Sequence, residues 1–203
     1  PKQWLPAFRD QFKYFFNPKA YEGLMDNIKS RPTYGLMREG KLSLTDMGPV
    51  LGSREEVFMS NLVEKIPGFG KIAAGSNRAY SGFLNKLRAD VFDDIVKTAK
   101  AQGREMDTKL VSDIARFVNS ATGRGDLGAL QRAAPILNAT LFSPRLVASR
   151  LNLINPAFYV KLDPLVRKEA LKSLLTFAGT GLTVAILAKM GGAQVGADPR
   201  SAD

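Results

Sequence analysis

The apolar positions between residues 76 and 102 recur every three or four residues, which is the period of an α-helix. They are Tyr80, Phe83, Leu84, Leu87, Val91 and Ile95. Polar residues such as Asn77, Lys86 and Asp94 fall between them. The pattern predicts one long amphipathic helix over Ser76–Gln102, and Gly103 directly after it is typical of a helix C-cap.

A second amphipathic helix is predicted over Lys109–Ser120. Asp107 or Thr108 is in the position of its N-cap. Its inward-facing residues are Leu110, Ile114, Phe117 and Val118. The glycines on either side of Arg124 end this helix.

Residues 1–20 combine aromatic and basic side chains. The spacing of Phe8, Phe12, Phe15 and Phe16 places four rings on one helical face. This face indicates a helix docked on the body of the protein, and the alternative is a detachable helix that binds a partner. Asn17 followed by Pro18 predicts the N-cap and the first position of the next helix.

Glycine and proline interrupt residues 31–53, which predicts a loop or linker with a short turn at Leu42–Met47. We therefore divide the chain into two parts. Residues 1–52 form aromatic and basic N-terminal helices with a linker, and residues 53–203 form a helical domain.

Two further helices are predicted from the middle of the chain. Ser53 and Glu56 have the spacing of a capping box, which predicts a helix over Arg54–Lys65. Leu127–Thr140 also has a helical pattern, with a kink or restart at Pro135.

Two more helices begin with a cap followed by proline. Ser143 precedes a helix predicted over Pro144–Leu153, and Asp163 caps a helix that begins at Pro164. No run of residues alternates with period two, and no internal repeat is evident. The sequence therefore predicts an all-α fold, an irregular multi-helix bundle of about seven helices with Gly/Pro-rich connections.

The last helix contains an uncharged stretch of 16 residues, numbers 173–188. A membrane-spanning helix needs about 20 residues, so this stretch is slightly short unless Lys172 and Lys189 extend toward the headgroups. Its glycines favour close contact between helices. We expect a buried central or oligomer-facing helix, and the alternative is a helix that inserts into a membrane. The residues assigned to this helix surface are Leu174, Phe177, Gly179, Gly181, Val184 and Leu187.

The chain carries 29 Lys and Arg against 19 Asp and Glu, a formal net charge of +10. This balance favours an anionic partner such as nucleic acid, a membrane surface or an acidic protein. The candidate anion- or nucleic-acid-binding residues are Arg124, Arg145, Arg150, Arg167, Lys168 and Lys172. The same side chains also suit helix C-termini and internal ion pairs, so a structural role is the alternative.

The sequence contains no histidine and no cysteine, which removes the commonest acid–base group and the commonest transition-metal ligands. Asp90, Asp93 and Asp94 share one helix, a pattern typical of a solvated face. The sequence Thr122–Gly125 resembles a phosphate-binding loop only superficially, since it lacks the Gly-Lys-Ser/Thr ending. We therefore predict no catalytic residue, no metal site, no cofactor and no enzymatic activity.

Three phrases together suggest a family. They are "SNRAYSGFLNKLRADVFDDI", "ATGRGDLGALQRAAPILNATLFSPRLVASRLNLINP" and "VRKEALKSLLTFAGTG" with its later "DPRSAD". Over roughly residues 54–203 the chain resembles a helical domain of very large bacteriophage proteins, including large polyvalent proteins and internal virion or ejected proteins of tailed phages. The resemblance offers no catalytic signature to transfer. Both ends look like cuts in a longer polypeptide, as expected if such relatives continue past "DPRS".

The resemblance implies a structural and delivery segment of a phage internal virion protein. Its expected location is the interior of the phage particle, with possible delivery into the host envelope or cytoplasm. Expected partners are copies of itself, portal or tail proteins, phage DNA and, transiently, a membrane. The alternatives are a non-specific nucleic-acid-binding module within a large injected polyprotein and an accessory domain of a virion enzyme.

Overall fold

The computed structural model describes residues 2–45, 70–126 and 144–192. These residues form eight α-helices and no strand, which confirms the predicted all-α fold; two of the eight, Tyr34–Glu39 and Pro156–Lys161, were not predicted from the sequence. The helices are α1 (Trp4–Phe16), α2 (Pro18–Lys29), α3 (Tyr34–Glu39), α4 (Gly70–Ala101), α5 (Thr108–Ala121), α6 (Pro144–Ile154), α7 (Pro156–Lys161) and α8 (Pro164–Met190). The helices predicted over 54–65 and 127–140 lie outside the described residues.

Helix α4 is the centre of the body, and α1, α2 and α5 pack against it. Its fully buried apolar side chains include Ala89, Phe92 and Ala99. The predicted apolar stripe is only partly right, because Tyr80 is exposed and Phe83, Leu87 and Val91 are half-buried. The observed buried face of α4 therefore differs from the predicted apolar stripe, because polar residues occupy much of that face.

Two polar residues on that face hold the segment before residue 46. The Asn85 side-chain amide accepts a hydrogen bond from the Thr45 backbone N–H at 2.9 Å and donates to the Thr45 carbonyl at 2.7 Å. The fully buried Arg88 guanidinium donates to the Ser43 carbonyl at 2.8 Å and to the Thr122 hydroxyl at 2.9 Å. Since buried polar groups are stable only when they are hydrogen-bonded, these contacts fix the segment to α4 and to the end of α5.

Helix α1 is docked on the body, which confirms the first of the two interpretations. It packs through Ala7 and Tyr14, and a Cβ added at Gly82 of α4 would come within 2.5 Å of the Tyr14 ring. The face predicted from the phenylalanines is wrong, because Phe8, Phe12 and Phe16 are exposed. Small residues set the contact, so the aromatic rings remain outside it.

The N-cap of α2 is confirmed, since the Asn17 side chain accepts a hydrogen bond from the Ala20 backbone N–H at 3.3 Å. A short helix, α3, lies where the glycine and proline content predicted a loop. Met37 of α3 is fully buried, and a Cβ at Gly40 would lie 2.6 Å from the Val111 carbonyl oxygen. Packing against α5 therefore supports a helix that local sequence disfavours.

The predicted C-cap of α4 and the predicted N-cap of α5 are both confirmed. Gly103 has φ +68°, and the Arg104 backbone N–H donates to the Ala99 carbonyl at 3.0 Å, which closes the end of α4. The Asp107 side chain accepts a hydrogen bond from the Leu110 backbone N–H at 2.8 Å. All four inward residues predicted for α5 are buried.

One hydrophobic core extends from Tyr14 in α1 to Ala170 in α8. It therefore includes residues from both of the parts that we separated at residue 52, and the boundary itself lies outside the described residues. Helices α6 and α7 connect α5 to α8, and the buried part of α8 ends at Ala170.

Replacing Arg88 with alanine should lower the free energy of unfolding by about 3 kcal/mol, because the Ser43 and Thr122 carbonyls lose their donor inside the protein. Urea unfolding measures this change. The exposed Lys100→Ala on the same helix is the control and should change stability by less than about 0.5 kcal/mol. Equal stability of the Arg88 and Lys100 variants would contradict a locking role for Arg88.

Candidate functional site

The start of α8 is anchored in the body. The Asp163 side chain caps the helix by accepting a hydrogen bond from the Leu165 backbone N–H at 2.9 Å, and Pro164 takes the first helical position. Leu165, Val166 and Ala170 are buried. The cap predicted from sequence is therefore confirmed, and the first two turns of α8 belong to the core.

Asp163 also connects α8 to two other parts of the body. Its carboxylate accepts a hydrogen bond from the Arg104 guanidinium at 2.8 Å, and its backbone N–H donates to Asp113 Oδ2 at 2.8 Å. The Lys109 ammonium donates to the same Asp113 oxygen at 2.6 Å. Arg104 and Asp113 could not be predicted from local sequence, because their partner is 50 or more residues away in the chain.

This environment sets the acidity of Asp163. Burial alone would raise the pKa of the carboxyl, but the hydrogen bonds from Arg104 and from the Leu165 backbone outweigh burial, and the pKa lies below its ordinary value of 3.8. The Lys109 pKa is raised, chiefly by its hydrogen bond to Asp113. The junction is therefore held by charged groups that remain ionised near neutral pH.

Beyond Ala170 the helix leaves the body. Residues 171–190 are exposed except for Ala185 and Ala188, which are half-buried. Leu175 and Phe177 each expose 72% of their surface. The other large apolar side chains exposed there are Leu171, Leu174, Leu182, Val184, Ile186, Leu187 and Met190. The expectation of a buried central helix is therefore wrong, because no described element covers this part of α8.

The projecting part of α8 is apolar on every side. At about 100° per residue, Leu174, Leu182, Ile186, Leu187 and Val184 are distributed around the whole circumference. A helix of this kind is normally buried in a protein core or in a membrane. By length and composition, α8 is also the one helix within the described ranges that is suited to crossing a membrane.

The uncharged residues 173–188 extend for about 24 Å at a rise of about 1.5 Å per residue. Lys172 and Lys189 lie at the two ends of this stretch. The hydrocarbon core of a bilayer is about 30 Å thick, so the ammonium groups would have to extend outward to reach the headgroups.

The threonine hydroxyls of α8 are satisfied within the helix. Thr176, Thr180 and Thr183 each donate to the carbonyl four residues earlier, at 2.8 Å in every case. This arrangement is known from membrane helices, where an unpaired donor in the hydrocarbon is costly. These three side chains therefore add little polarity to the projecting surface.

Neither Gly179 nor Gly181 contacts another part of the chain, since a Cβ added at either would meet no atom within 4 Å. Residues two positions apart lie about 200° apart around a helix, so the two glycines face opposite sides. They cannot form one close-packed contact surface together. Neither glycine contacts another helix among residues 2–45, 70–126 and 144–192.

The six basic candidates do not share one environment. Arg124 is buried, Arg145 is half-buried, and Arg150, Lys168 and Lys172 are exposed. Gly125 next to Arg124 donates its backbone N–H to the Arg145 carbonyl at 3.1 Å, so these two arginines lie on neighbouring segments.

Arg167 stands beside Lys168 in sequence but has a different role. Its guanidinium donates to the carbonyls of Tyr159, Val160 and Leu162 at 2.9, 2.8 and 3.1 Å. It thus caps the end of α7, which matches the structural alternative for this residue. Arg167, Lys168 and Lys172 nevertheless line the same shallow groove along the start of α8.

The acidic residues of α4 form ion pairs. Arg31 contacts Asp90 and Asp93 at 2.9 Å each, and Lys86 contacts Asp90 at 2.8 Å. The two Arg31 pairs join the turn after α2 to α4, so the expected solvated face is partly a docking contact. No group of acidic residues suited to a metal ion occurs in residues 2–45, 70–126 and 144–192.

Comparison with protein-family models, with curated proteins and with solved structures gives no match to this chain.

The stability of the protein should fall in acid as Asp163 becomes protonated. Because the folded pKa lies below the ordinary 3.8, the stabilisation is present above about pH 4 and is lost as the pH falls through the folded pKa. Melting temperatures at pH 6 and pH 3 measure the loss. Asp163→Asn keeps a capping side chain without the charge. The melting temperature of this variant should therefore fall less between pH 6 and pH 3 than that of the unaltered protein. Parallel losses in the two proteins would contradict this assignment.

If copies of α8 pack closely together, Gly181→Leu should weaken the association more than Gly179→Leu. Gly181 lies on the same side of the helix as Ala185 and Ala188, and small residues permit close approach of two helices. Light scattering measures the mass, and neither leucine meets an obstacle within the chain. An unchanged mass in both variants would exclude a close-packed glycine contact.

Proposed function

We propose that this chain is a non-catalytic structural and delivery segment that inserts the projecting part of α8 into a bilayer. One observation carries the proposal: the uncharged residues 173–188 carry apolar side chains around the whole helix and are not covered by the described part of the body. A core helix of a soluble protein has a similar composition, but such a helix is buried.

Exposing this apolar surface of α8 to water costs free energy. Nine large apolar side chains are exposed between Leu171 and Met190. Removing such a side chain from water contributes roughly 1.5 kcal/mol or more, so the sum is on the order of 10 kcal/mol. This is comparable with the whole stability of a typical domain, about 5–15 kcal/mol. The energy therefore favours a state in which another phase or molecule covers α8.

Three features favour a bilayer as that covering. The stretch from 173 to 188 contains no charge, its threonine hydroxyls bond to the helix backbone, and a lysine lies at each end. A stretch slightly shorter than the hydrocarbon is accommodated by local thinning and by lysines that extend to the headgroups. The three threonines lie within about 60° of one another on one side of α8, and the rest of its circumference between 174 and 188 carries only apolar residues and glycine.

The resemblance to large bacteriophage proteins supplies the biological setting of the proposal. In that setting the chain is a segment of an internal virion protein that is ejected with the DNA. Its body would assemble with copies of itself or with portal and tail proteins. Insertion of α8 would then attach the delivered protein to the host envelope.

The nucleic-acid-binding alternative has support from the net charge of +10 and from the exposed Arg150, Lys168 and Lys172. It has less support from Arg124 and Arg167, whose side chains are buried or committed to carbonyls. The dependence of binding on salt concentration distinguishes nucleic-acid binding from membrane insertion. A DNA complex weakens steeply between about 50 and 200 mM salt, whereas an inserted apolar helix does not leave the membrane.

Flotation of the full chain with neutral phosphatidylcholine vesicles tests insertion. The protein should float with the vesicles and remain bound in high salt. Val184→Asp should reduce the bound-to-free ratio roughly 100-fold, because a charge at the centre of a bilayer costs about 3 kcal/mol. Val184 is exposed, so the substitution should leave the fold of the body unchanged.

The matched control is Leu151→Asp, at an exposed apolar position on α6. It should float as the unaltered chain does. Equal flotation of the Val184 and Leu151 variants would contradict insertion of α8. Absence of flotation together with salt-sensitive DNA binding would favour the nucleic-acid alternative.

A further inference from the structure

Helix α1 carries a second exposed apolar surface, which we call the aromatic ridge: Trp4, Phe8, Phe12 and Phe16. Trp4 exposes 47% of its surface, Phe12 55% and Phe16 80%. The Trp4 and Phe8 rings stack at 4.7 Å between centroids, and the Phe8 and Phe12 rings meet edge to face at 5.8 Å. The rings thus form a row along α1, with consecutive members four residues apart.

Only the inner end of the ridge touches the body, and its outer rings lie away from the surface that attaches α1. At about 100° per residue, the buried Ala7 and Tyr14 lie on one side of the helix, and Phe12 lies more than about 130° away from them. Trp4 and Phe8 touch the half-buried Phe83 edge to face at 6.3 and 6.5 Å, and their remaining surfaces face solvent. The docking of α1 therefore does not explain why the outer rings are aromatic.

Basic side chains border the ridge. Arg9 and Lys13 lie directly beside it around the helix, and Lys2 precedes its first ring. Arg9 and Lys2 are largely exposed, and Lys13 is exposed. The one acidic residue in α1 is Asp10, which is half-buried and contacts Arg9 at 3.4 Å. The exposed side of α1 is therefore aromatic along one strip and cationic along the next.

We propose that the aromatic ridge binds the surface of an anionic bilayer, with its rings at the boundary between headgroups and acyl chains. Tryptophan and phenylalanine beside lysine and arginine is the composition of helices that lie in this interfacial layer. The cations contact lipid phosphates, and the rings enter the apolar boundary. This inference goes beyond the proposed function, since it concerns a different helix and a different depth in the membrane.

The charge distribution argues against a second copy of the chain as the occupant of the ridge. Each copy carries a net charge of +10, and the cations border the ridge itself. Bringing two such surfaces together opposes like charges, whereas an anionic lipid surface attracts them. The 13 residues of α1 are about 20 Å long, too short to span the hydrocarbon, so the helix lies on the membrane surface.

The chain offers two independent probes for the test. It contains a single tryptophan, Trp4, so intrinsic fluorescence reports on the ridge alone. It contains no cysteine, so Ala185→Cys labelled with an environment-sensitive dye reports on α8 alone. Both signals are recorded while the full chain is titrated with vesicles of phosphatidylcholine, with and without phosphatidylglycerol.

We expect a blue shift of Trp4 emission and reduced acrylamide quenching, at roughly tenfold lower lipid concentration with phosphatidylglycerol than without it. Phe12→Ser with Phe16→Ser should weaken the Trp4 response, and so should Arg9→Glu with Lys13→Glu. The matched controls are Ile154→Ser on α6 and Lys100→Glu on α4, both exposed positions outside α1. These controls should leave the response unchanged.

The outcomes distinguish this inference from the proposed function. A dye response at position 185 without any change in Trp4 would overturn the ridge proposal and leave insertion of α8 intact. A Trp4 shift that depends on protein concentration and not on lipid would mean self-association and would also overturn it. In the Val184→Asp chain, a Trp4 shift with anionic vesicles would support the ridge as an independent contact.

Discussion

The direction of α8 depends on one buried carboxylate. Asp163 caps the helix, accepts a hydrogen bond from Arg104 and, through its backbone, contacts Asp113. These contacts tie the first turn of α8 to α5 and to the turn that precedes α5. Because residues 164–190 form one continuous helix, the buried Leu165, Val166 and Ala170 determine where residues 171–190 point. The projecting surface is thus presented by the body, and its exposure follows from where the core ends.

The hydrophobic core of the body also contains a row of buried polar residues on α4. The buried row of α4 includes Asn77, Ser81, Asn85 and Arg88, whereas the exposed rows of α1 and α8 are apolar. Buried polar groups impose strict geometry, because each must find a partner. The segment before residue 46 supplies partners for Asn85 and Arg88 through its backbone. These internal hydrogen bonds therefore fix the segment before residue 46 against α4.

Local signals in the sequence predicted the caps at Asn17, Asp107 and Asp163 and the four large apolar residues Leu110, Ile114, Phe117 and Val118 of the buried face of α5, because these features depend on neighbours within one or two turns. The buried face of α4 could not be predicted in this way. Arg88 contacts residues 34 and 45 positions away, so its burial is a property of the fold. Likewise, an all-apolar helix has the same sequence whether it lies in a core or projects from it. Only the packing of the body showed which of these applies to α8.

The positive charge alone does not identify the anionic partner, since lipid headgroups and nucleic acids both present phosphate. The apolar surfaces do discriminate. A uniformly apolar helix without charge gains nothing from a nucleic acid, whereas it is stabilised at depth in a bilayer. An aromatic strip beside cations gains most at the interface, where each basic residue contributes about 1 kcal/mol on an anionic leaflet. Under the two proposals, α8 would enter the hydrocarbon and α1 would lie at the interface, and the excess of lysine and arginine would strengthen binding to an anionic leaflet.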